Sequence, residues 1–220
     1  GTDALGFFLP GHRLQPYRRD MQRIGLGPLE ECHELPSYKG FKSGVLVNSI
    51  RELLTEEGDR MAFVQVGDLT ASGECVFFPE ACAEFRELLN SGIPLELTAR
   101  VQKDEGERGG NGNGDSSPDG DENVVRDIKL EGESVRPLID AVNKSDAPLD
   151  IEFRVEDFSP ARVEALKDVL IKHGGPVEVN VILYGNGYWC RMGLPRFRVQ
   201  PGPELGSALA EFENTLGAAS

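Results

Sequence analysis

Residues 41–66, FKSGVLVNSIRELLTEEGDRMAFVQV, carry the clearest β pattern in the chain. Phe41–Leu54 predicts one long strand with Gly44 near its middle, and Arg60–Val66 predicts a second strand because apolar and polar residues alternate along it. Between them, Thr55–Asp59 predicts a turn, since Gly and Asp favour tight chain reversals. The whole stretch therefore predicts a long β-hairpin.

The residues that follow complete the pattern of a small barrel. Glu74–Phe78 predicts a third strand, and Pro79 opens a helix that ends before Gly92, because proline favours the first turn of a helix and glycine the position after its end. Two further strands are predicted at Pro94–Gln102 and Asn123–Pro137. Three strands, a helix and two strands in this order are typical of an OB fold, a five-stranded Greek-key barrel that often binds oligonucleotides.

We divide the chain into three parts. Residues 1–37 are a lead-in with one short helix, residues 38–138 form the OB barrel, and residues 139–220 form a small α+β domain. The last part contains a strand, a helix, two strands joined by Gly185–Gly187, and a final helix, Pro203–Leu216. The predicted fold class is therefore mixed, a five-stranded OB barrel followed by a small α+β unit.

A low-complexity segment interrupts the barrel between its fourth and fifth strands. Residues 103–122, KDEGERGGNGNGDSSPDGDE, are rich in glycine and acidic residues. Such a composition buries little apolar surface, so we expect this insertion to be disordered. Its glycines lack the strand-to-helix context of a dinucleotide-binding loop.

Composition narrows the functional classes. The formal net charge is −14 at pH 7 and the pI is about 4.7, which is the wrong sign for a protein whose main task is to bind phosphates, although a local basic face is compatible with it. The four cysteines lack paired metal-ligand spacing and the three histidines are scattered. We therefore expect reduced structural thiols, no metal site, no membrane span and no secretory signal.

Several segments carry a family resemblance. GDRMAFVQVGDLTASGECVFFPEACAEFRELL, at residues 58–89, closely resembles the OB domain of the bacterial DNA polymerase III α subunit, a C-family replicative polymerase. LGFFLPGHRLQPY, at residues 5–17, is similar to the segment just before that domain. ARVEALKDVLIKHGGPVEVNVIL and FRVQPGPELGSALAEFENTLG are similar, by order and pattern, to the family's C-terminal domain. The resemblance covers nearly the whole chain.

This resemblance implies a non-catalytic C-terminal fragment of a longer protein. The family's magnesium-binding carboxylates lie upstream of the matched segments, so no catalytic residue and no cofactor are expected here, and magnesium belongs to the parent DNA-directed DNA polymerase. The implied partners are single-stranded template DNA, the clamp-loader τ subunit and other replisome subunits. The implied location is cytoplasmic.

Strand alternation selects the candidate nucleic-acid contacts. If Val64 and Val66 point into the barrel, Phe63 and Gln65 point out, and alternation along the third strand predicts an outward Phe77. Two outward aromatic rings would form a platform on which bases stack. The alternative is that both rings pack beneath a neighbouring domain or the lead-in helix. Phosphate contacts are predicted for four basic residues: Lys42, Arg51, Arg60 and Arg100.

The turn between the first two strands departs from the family pattern. Relatives typically carry two basic residues there, but this chain has Glu56 and Glu57 and keeps only Arg60 of the basic set. Two carboxylates repel phosphates. DNA contact by this turn is therefore less expected here than in the family.

The candidate partner-binding surface is the apolar stripe of the last helix, formed by Leu205, Leu209, Phe212 and Leu216. The resemblance implies that this domain binds τ, whereas the alternative is that the stripe covers the domain's own sheet. Two other functions remain open for the chain. One is a pure protein-interaction module whose barrel does not bind DNA. The other is an anticodon-type OB module of a tRNA synthetase, although the C-terminal unit and the segment LGFFLPGH argue against it.

Overall fold

The computed structural model describes residues 11–102 and 127–217, with side chains at 13–102 and 127–215. The strands are β1 Gly40–Leu54, β2 Arg60–Gly67, β3 Ser72–Phe77, β4 Leu95–Gln102, β5 Ile128–Pro137, β6 Leu149–Arg154, β7 Gly174–Gly185 and β8 Tyr188–Val199. The α-helices are α1 Gly11–Leu14, α2 Arg18–Arg23, α3 Pro79–Leu89, α4 Leu138–Lys144, α5 Pro160–Lys172 and α6 Pro203–Gly217. The predicted disordered insertion, residues 103–122, lies outside the described residues.

The first five strands close into a barrel in the order β1-β2-β3-β5-β4. β1 is long enough to pair with β4 through Gly40–Val45 and with β2 through Leu46–Leu54, which closes the sheet on itself. A register shift between Val47 and Ser49 marks a bulge in β1, and bulges increase the local bend and twist of a strand. β3 and β5 pair in parallel. The predicted OB barrel is thus confirmed.

The barrel interior is filled by alternate residues of its strands. Val64 and Val66 on β2 and Leu97 on β4 are almost completely buried, as the alternation of β2 predicts. α3 adds Cys82 and Leu89 to the same core. Since these side chains occupy the inside, any ligand of the barrel must bind to its outer wall or its loops.

The last three strands form a second sheet in the order β6-β7-β8. β6 and β7 are parallel and are connected through α5, while β7 and β8 form an antiparallel hairpin. The hairpin turn is Asn186-Gly187, with positive φ angles of 50° and 80°, which is the geometry of a type I′ turn. α5 and α6 contribute apolar side chains to one core with this sheet. The predicted α+β unit is confirmed.

The lead-in connects the two units. It contains short helical segments rather than one continuous helix, and its apolar side chains form a third core with β1 and α4: Leu14, Tyr17, Leu46, Leu138 and Val142. Gly206 of α6 approaches the carbonyl oxygen of Pro16 so closely that a Cβ atom would not fit there. α6 therefore packs against the lead-in as well as against its own sheet.

A buried ion pair lies at this junction. Arg23 donates from Nε to Asp20 Oδ1 at 3.1 Å, and its other nitrogens donate to the carbonyl oxygens of Val142, Ser145 and Ala147 at 2.8–3.2 Å. Asp20 Oδ2 accepts the backbone N–H of Gly202 at 2.9 Å. The pair thus bonds the lead-in to the end of α4 and to the residue before α6.

We expect Arg23→Met to lower the free energy of unfolding by about 3–5 kcal/mol, because it leaves the Asp20 carboxylate buried without its cation. The matched control is Arg18→Met, since Arg18 is half-exposed and only 4.0 Å from Glu213, a type of pair worth about 0–1 kcal/mol. Urea unfolding followed by circular dichroism measures both changes. Equal unfolding midpoints for the two variants would contradict a structural role for the buried pair.

Candidate nucleic-acid interface

The outer wall of the β1–β2 hairpin presents paired side chains at regular spacing. In the register of these strands, Ser49 lies opposite Gln65, Arg51 opposite Phe63, and Leu53 opposite Met61. Because side chains alternate along a strand, all three pairs lie on the face away from the barrel interior. The hairpin therefore places three side-chain pairs in one row: a polar pair, a pair of a cation with an aromatic ring, and an apolar pair.

Arg51 and Phe63 are in direct contact. The guanidinium carbon of Arg51 lies 4.9 Å from the centroid of the Phe63 ring, which is within the range of a cation–π interaction. Phe63 is only half-buried, and the next outward residue of β2, Gln65, is exposed and donates to Glu74 at 3.0 Å. The pair combines a cation that can bind phosphate with a ring on which a base can stack.

A second group of arginines lies near the end of the hairpin. Glu52 pairs with Arg60 at 3.5 Å and with Arg86 of α3 at 2.8 Å. Both arginines are half-exposed, so they remain accessible to an anion. Arg86 was absent from the sequence-based candidates. The position of Arg86 on a helix does not indicate that α3 brings it to Glu52, which lies 34 positions earlier in the chain.

The prediction that Phe77 faces outward is wrong. Phe77 is fully buried in the barrel core, and its ring occupies the space that a side chain at Gly132 would need. The alternation that places Phe77 outside would place Phe78 inside, but Phe78 is 44% exposed. Val76 is the residue of β3 that lies opposite Phe63. The wall therefore offers one aromatic ring for stacking, not two.

Two other candidates lie away from this wall. Lys42 pairs with Thr98 of β4, and it is nine positions from Arg51, which is about 30 Å along a strand at 3.3 Å per residue. Arg100 on β4 lies opposite Gly40 and Glu131 and forms an ion pair with Glu133. The structure thus brings together Arg51, Phe63 and Gln65 and separates Lys42 and Arg100 from them. Arg60 lies near the hairpin end but on the opposite face of β2, beside Glu52.

The turn that joins β1 and β2 is compact and exposed. Thr55 accepts the N–H of Gly58 at 2.9 Å and donates its own N–H to the carbonyl of Asp59 at 2.7 Å. Gly58 has a φ of +84°, which glycine adopts without strain. Glu56 and Glu57 are exposed on this turn. Their carboxylates oppose phosphate binding at this end of the hairpin.

The last helix does not present the predicted apolar stripe to solvent. Leu205, Leu209 and Phe212 are 1–7% exposed and belong to the core of the second unit. The Phe212 ring contacts the Phe153 ring edge-on, with 5.7 Å between centroids. The expectation that these three side chains bind a partner is therefore wrong, and the side chain of Leu216 lies outside the described residues.

Among the described residues, no group of three His, Cys, Asp or Glu side chains has the geometry of a metal site. Burial raises the pKa of Cys32 to about 12 and also raises the pKa of Cys75 and Cys82. These buried thiols are therefore protonated at neutral pH, as expected for side chains that only pack. In the described part of the chain, no helix is long and apolar enough to span a membrane.

The curated relatives of this chain share one description. DNA polymerase III subunit alpha of Escherichia coli K12 is 25% identical over 104 residues, or 47% of this chain, and that of Aquifex aeolicus is 30% identical over 105 residues, or 46%. The subunit of Caulobacter vibrioides is 24% identical over 198 residues, or 87% of this chain. The chain is similar to DNA polymerase III subunit alpha. The resemblance inferred from the quoted segments is confirmed.

The similarity is confined to a small part of each relative. The chain spans 9% of the E. coli and A. aeolicus subunits and 15% of the C. vibrioides subunit. No protein-family model matches the chain. Among solved structures, the mitochondrial single-stranded DNA-binding protein Rim1 of Saccharomyces cerevisiae is 10% identical, with a TM-score of 0.31 over 46% of this chain and 96% of that one.

Proposed function

We propose that this chain is a non-catalytic accessory region of a DNA polymerase III α subunit and that its OB barrel binds single-stranded template DNA. The contact between Arg51 and Phe63 carries the proposal, because it places a cation and an aromatic ring on the outer wall of β1 and β2. Strand faces of OB folds commonly bind oligonucleotides. The similarity to curated α subunits supports the same role.

On DNA binding, the Phe63 ring would lose its contact with Arg51 and gain a stacked base. An exposed cation–π pair contributes about 0.5–1 kcal/mol, whereas a base stacked on an aromatic ring contributes about 1–3 kcal/mol. Arg51 can therefore move from the ring to a phosphate when a base takes its place on Phe63. This binding is independent of sequence because every base has a face that stacks.

The charge of the chain keeps the affinity low. Glu56, Glu57 and Glu74 lie on or beside the hairpin, and the whole chain carries a formal charge of −14. These carboxylates repel the phosphate backbone, so few counterions are released on binding. The barrel therefore holds a strand weakly, in a role that assists a polymerase bound to the same strand.

We expect Phe63→Leu and Phe63→Ala to weaken binding of labelled oligo-dT by about 1–3 kcal/mol, because each removes the stacking ring. Phe63→Trp is the matched control, since it keeps an aromatic face and should retain binding. Fluorescence anisotropy at low salt measures the affinities. If Phe63→Leu bound oligo-dT as tightly as the parent, stacking on this ring would be excluded.

Reversing the charge of the hairpin turn should strengthen DNA binding. We expect Glu56→Lys with Glu57→Lys to raise the affinity for oligo-dT and to steepen its salt dependence, by up to about 0.7 in the logarithmic slope for each phosphate contacted. The control is Glu30→Lys with Glu34→Lys, which makes the same charge change near the β2–β3 loop at the other end of β2. An equal gain from both pairs would mean that only net charge matters.

The second part of the proposal concerns the α+β unit, which would dock the region onto the clamp-loader τ subunit and other replisome subunits in the cytoplasm. The similarity over 87% of the chain supports a common role for both units. Since the apolar stripe of α6 is buried, docking must use exposed residues of this unit. The candidates are the β7–β8 hairpin and four charged residues: Arg196, Arg198, Glu204 and Glu211.

Surface plasmon resonance with purified τ tests this docking. We expect τ to bind the immobilised chain and expect Trp189→Ala, which changes a side chain that is 71% exposed on the hairpin, to weaken that binding at least about tenfold, as loss of an interface aromatic commonly does. Binding of τ without any binding of oligo-dT would instead support the alternative, a protein-interaction module. Absence of τ binding would contradict the docking role.

A further inference from the structure

A cationic pocket lies on the outer wall of the barrel, apart from the Arg51–Phe63 contact. It lies where β1, β4, β5, the end of α4 and the residues after α2 meet, and its volume is about 190 Å³. Since a water molecule occupies about 30 Å³, a pocket of this size holds a group of several heavy atoms. Its charged lining residues are Lys42, Glu96, Arg136 and Lys144.

The backbone brings these four residues together. The carbonyl oxygen of Lys42 accepts the N–H of Gly27 at 2.9 Å, which holds the lead-in against β1. In the register of β4 and β5, Glu96 lies directly opposite Arg136. α4 follows β5 without a loop, and its last residue, Lys144, reaches the same pocket. The pocket is therefore built by the barrel and its two neighbouring segments together.

Glu96, the carboxylate that lines the pocket, is neutralised by Arg136. Glu96 is 5% exposed, and its two carboxylate oxygens accept from Arg136 Nε at 2.9 Å and from Nη2 at 3.2 Å. Such a bidentate pair fixes the orientation of the guanidinium. The other N–H groups of Arg136 remain available on a side chain that is 41% exposed. The buried carboxylate thus orients a cation toward the pocket.

The two lysines of the pocket are not neutralised. In the part of the chain that the structure describes, neither Lys42 nor Lys144 has a carboxylate within ion-pair distance. Asp140 and Asp146, the acidic residues nearest to Lys144 in the sequence, do not line the pocket. Three cations and one carboxylate leave an excess of positive charge there, and a cleft lined by one sign of charge concentrates the opposite ion.

A second polar pocket, between the lead-in, β6 and α6, lacks this excess. It is lined by three arginines and three carboxylates: Arg18, Arg19, Arg23, Asp150, Glu152 and Glu213. Its arginines are also paired, two with the carboxylate of Glu213 and one with that of Asp20. Unpaired positive charge therefore distinguishes the pocket at Lys42 from this arginine-lined cleft.

The hydrogen-bonding groups of the pocket are mainly donors. Besides the three cations, Ser145 lines it. Its Oγ accepts the N–H of Ala147 at 3.3 Å, which leaves the hydroxyl proton for a further acceptor, and its carbonyl oxygen accepts from Arg23. Donors thus come from β1, β5 and the end of α4. A phosphate group, with three strong acceptor oxygens, suits donors from several directions better than a planar carboxylate does.

We propose that the pocket lined by Lys42, Arg136 and Lys144 binds a phosphate group, with the Ser145 hydroxyl as a further donor. Inorganic phosphate, a nucleotide and the backbone of a nucleic acid all present this chemistry. The site goes beyond the stacking wall proposed above and does not depend on it, because Lys42 lies about 30 Å along β1 from Arg51 at 3.3 Å per residue.

An NMR titration of the ¹⁵N-labelled whole chain with sodium phosphate at pH 7 tests the site, with sodium chloride at matched ionic strength as the reference for screening. We expect phosphate to shift the amide signals of Gly25, Leu26 and Lys42 beyond the chloride effect. Lys42→Gln with Lys144→Gln should weaken this binding at least about tenfold, because it removes both unpaired cations.

The matched control is Lys39→Gln with Lys172→Gln, which removes two exposed lysines that do not line the pocket and should leave phosphate binding unchanged. The amide spectra also show whether each variant is folded. Shifts no larger than those in chloride, equal binding of sodium acetate, or an unchanged affinity in the variant that lacks Lys42 and Lys144 would overturn the proposal.

Competition separates the sources of the phosphate group. Displacement by oligo-dT without a terminal phosphate would identify the backbone of a nucleic acid as the ligand, and displacement only by thymidine 5′-monophosphate would identify a nucleotide. Resistance to both would identify inorganic phosphate. Phe63→Ala should retain phosphate binding, since its ring does not line the pocket, so this result is separate from the outcome for the stacking wall.

Discussion

The ion pair between Asp20 and Arg23 is the contact on which the arrangement of the two units depends. Burial raises the pKa of Asp20, while Arg23 and the N–H of Gly202 act against that rise. A buried charge is tolerated only when it is paired and hydrogen-bonded, and here Arg23 also satisfies three carbonyl oxygens after and within α4. The lead-in is therefore a structural connector, since removing either charge would leave the other unpaired at the boundary of barrel, α4 and α6.

The surfaces proposed to bind DNA and τ lie on different units, one on the barrel and one on the second sheet. The barrel offers a wall of side chains in which the Arg51–Phe63 contact lies among carboxylates. The proposed affinity for DNA is therefore the difference between stacking and repulsion. The second sheet ends in the β7–β8 hairpin, where Tyr188 is 82% exposed and Trp189 is 71% exposed. The two proposed contacts, a weak one with DNA and one with a protein partner, suit a region that assists a larger assembly, where several modest contacts act together.

Much of the fold could be predicted from the sequence because its signals are local. Alternation along β2, the proline at the start of α3 and the Asn186-Gly187 turn each depend on a few neighbouring residues, and the predicted elements match the structure closely. The outward position of Phe63 followed from the same alternation. Its contact with Arg51 was also within reach, because counting back from the turn at residues 55–59 gives the register in which the two residues face each other.

The sequence by itself therefore determined the order of strands and helices, the two kinds of unit and the acidic character of the chain. The tertiary structure decided which aromatic rings are exposed and so accessible to a base. Phe77 is buried because Gly132 on β5 leaves room for its ring, a relation between strands that alternation along β3 does not contain. The tertiary structure also buried the apolar side chains Leu205, Leu209 and Phe212 of α6 in the core of the second unit. In the described part of the chain, it left β8 paired on one side only. These outcomes depend on contacts between residues distant in the chain, and a local pattern specifies a face without specifying what covers it.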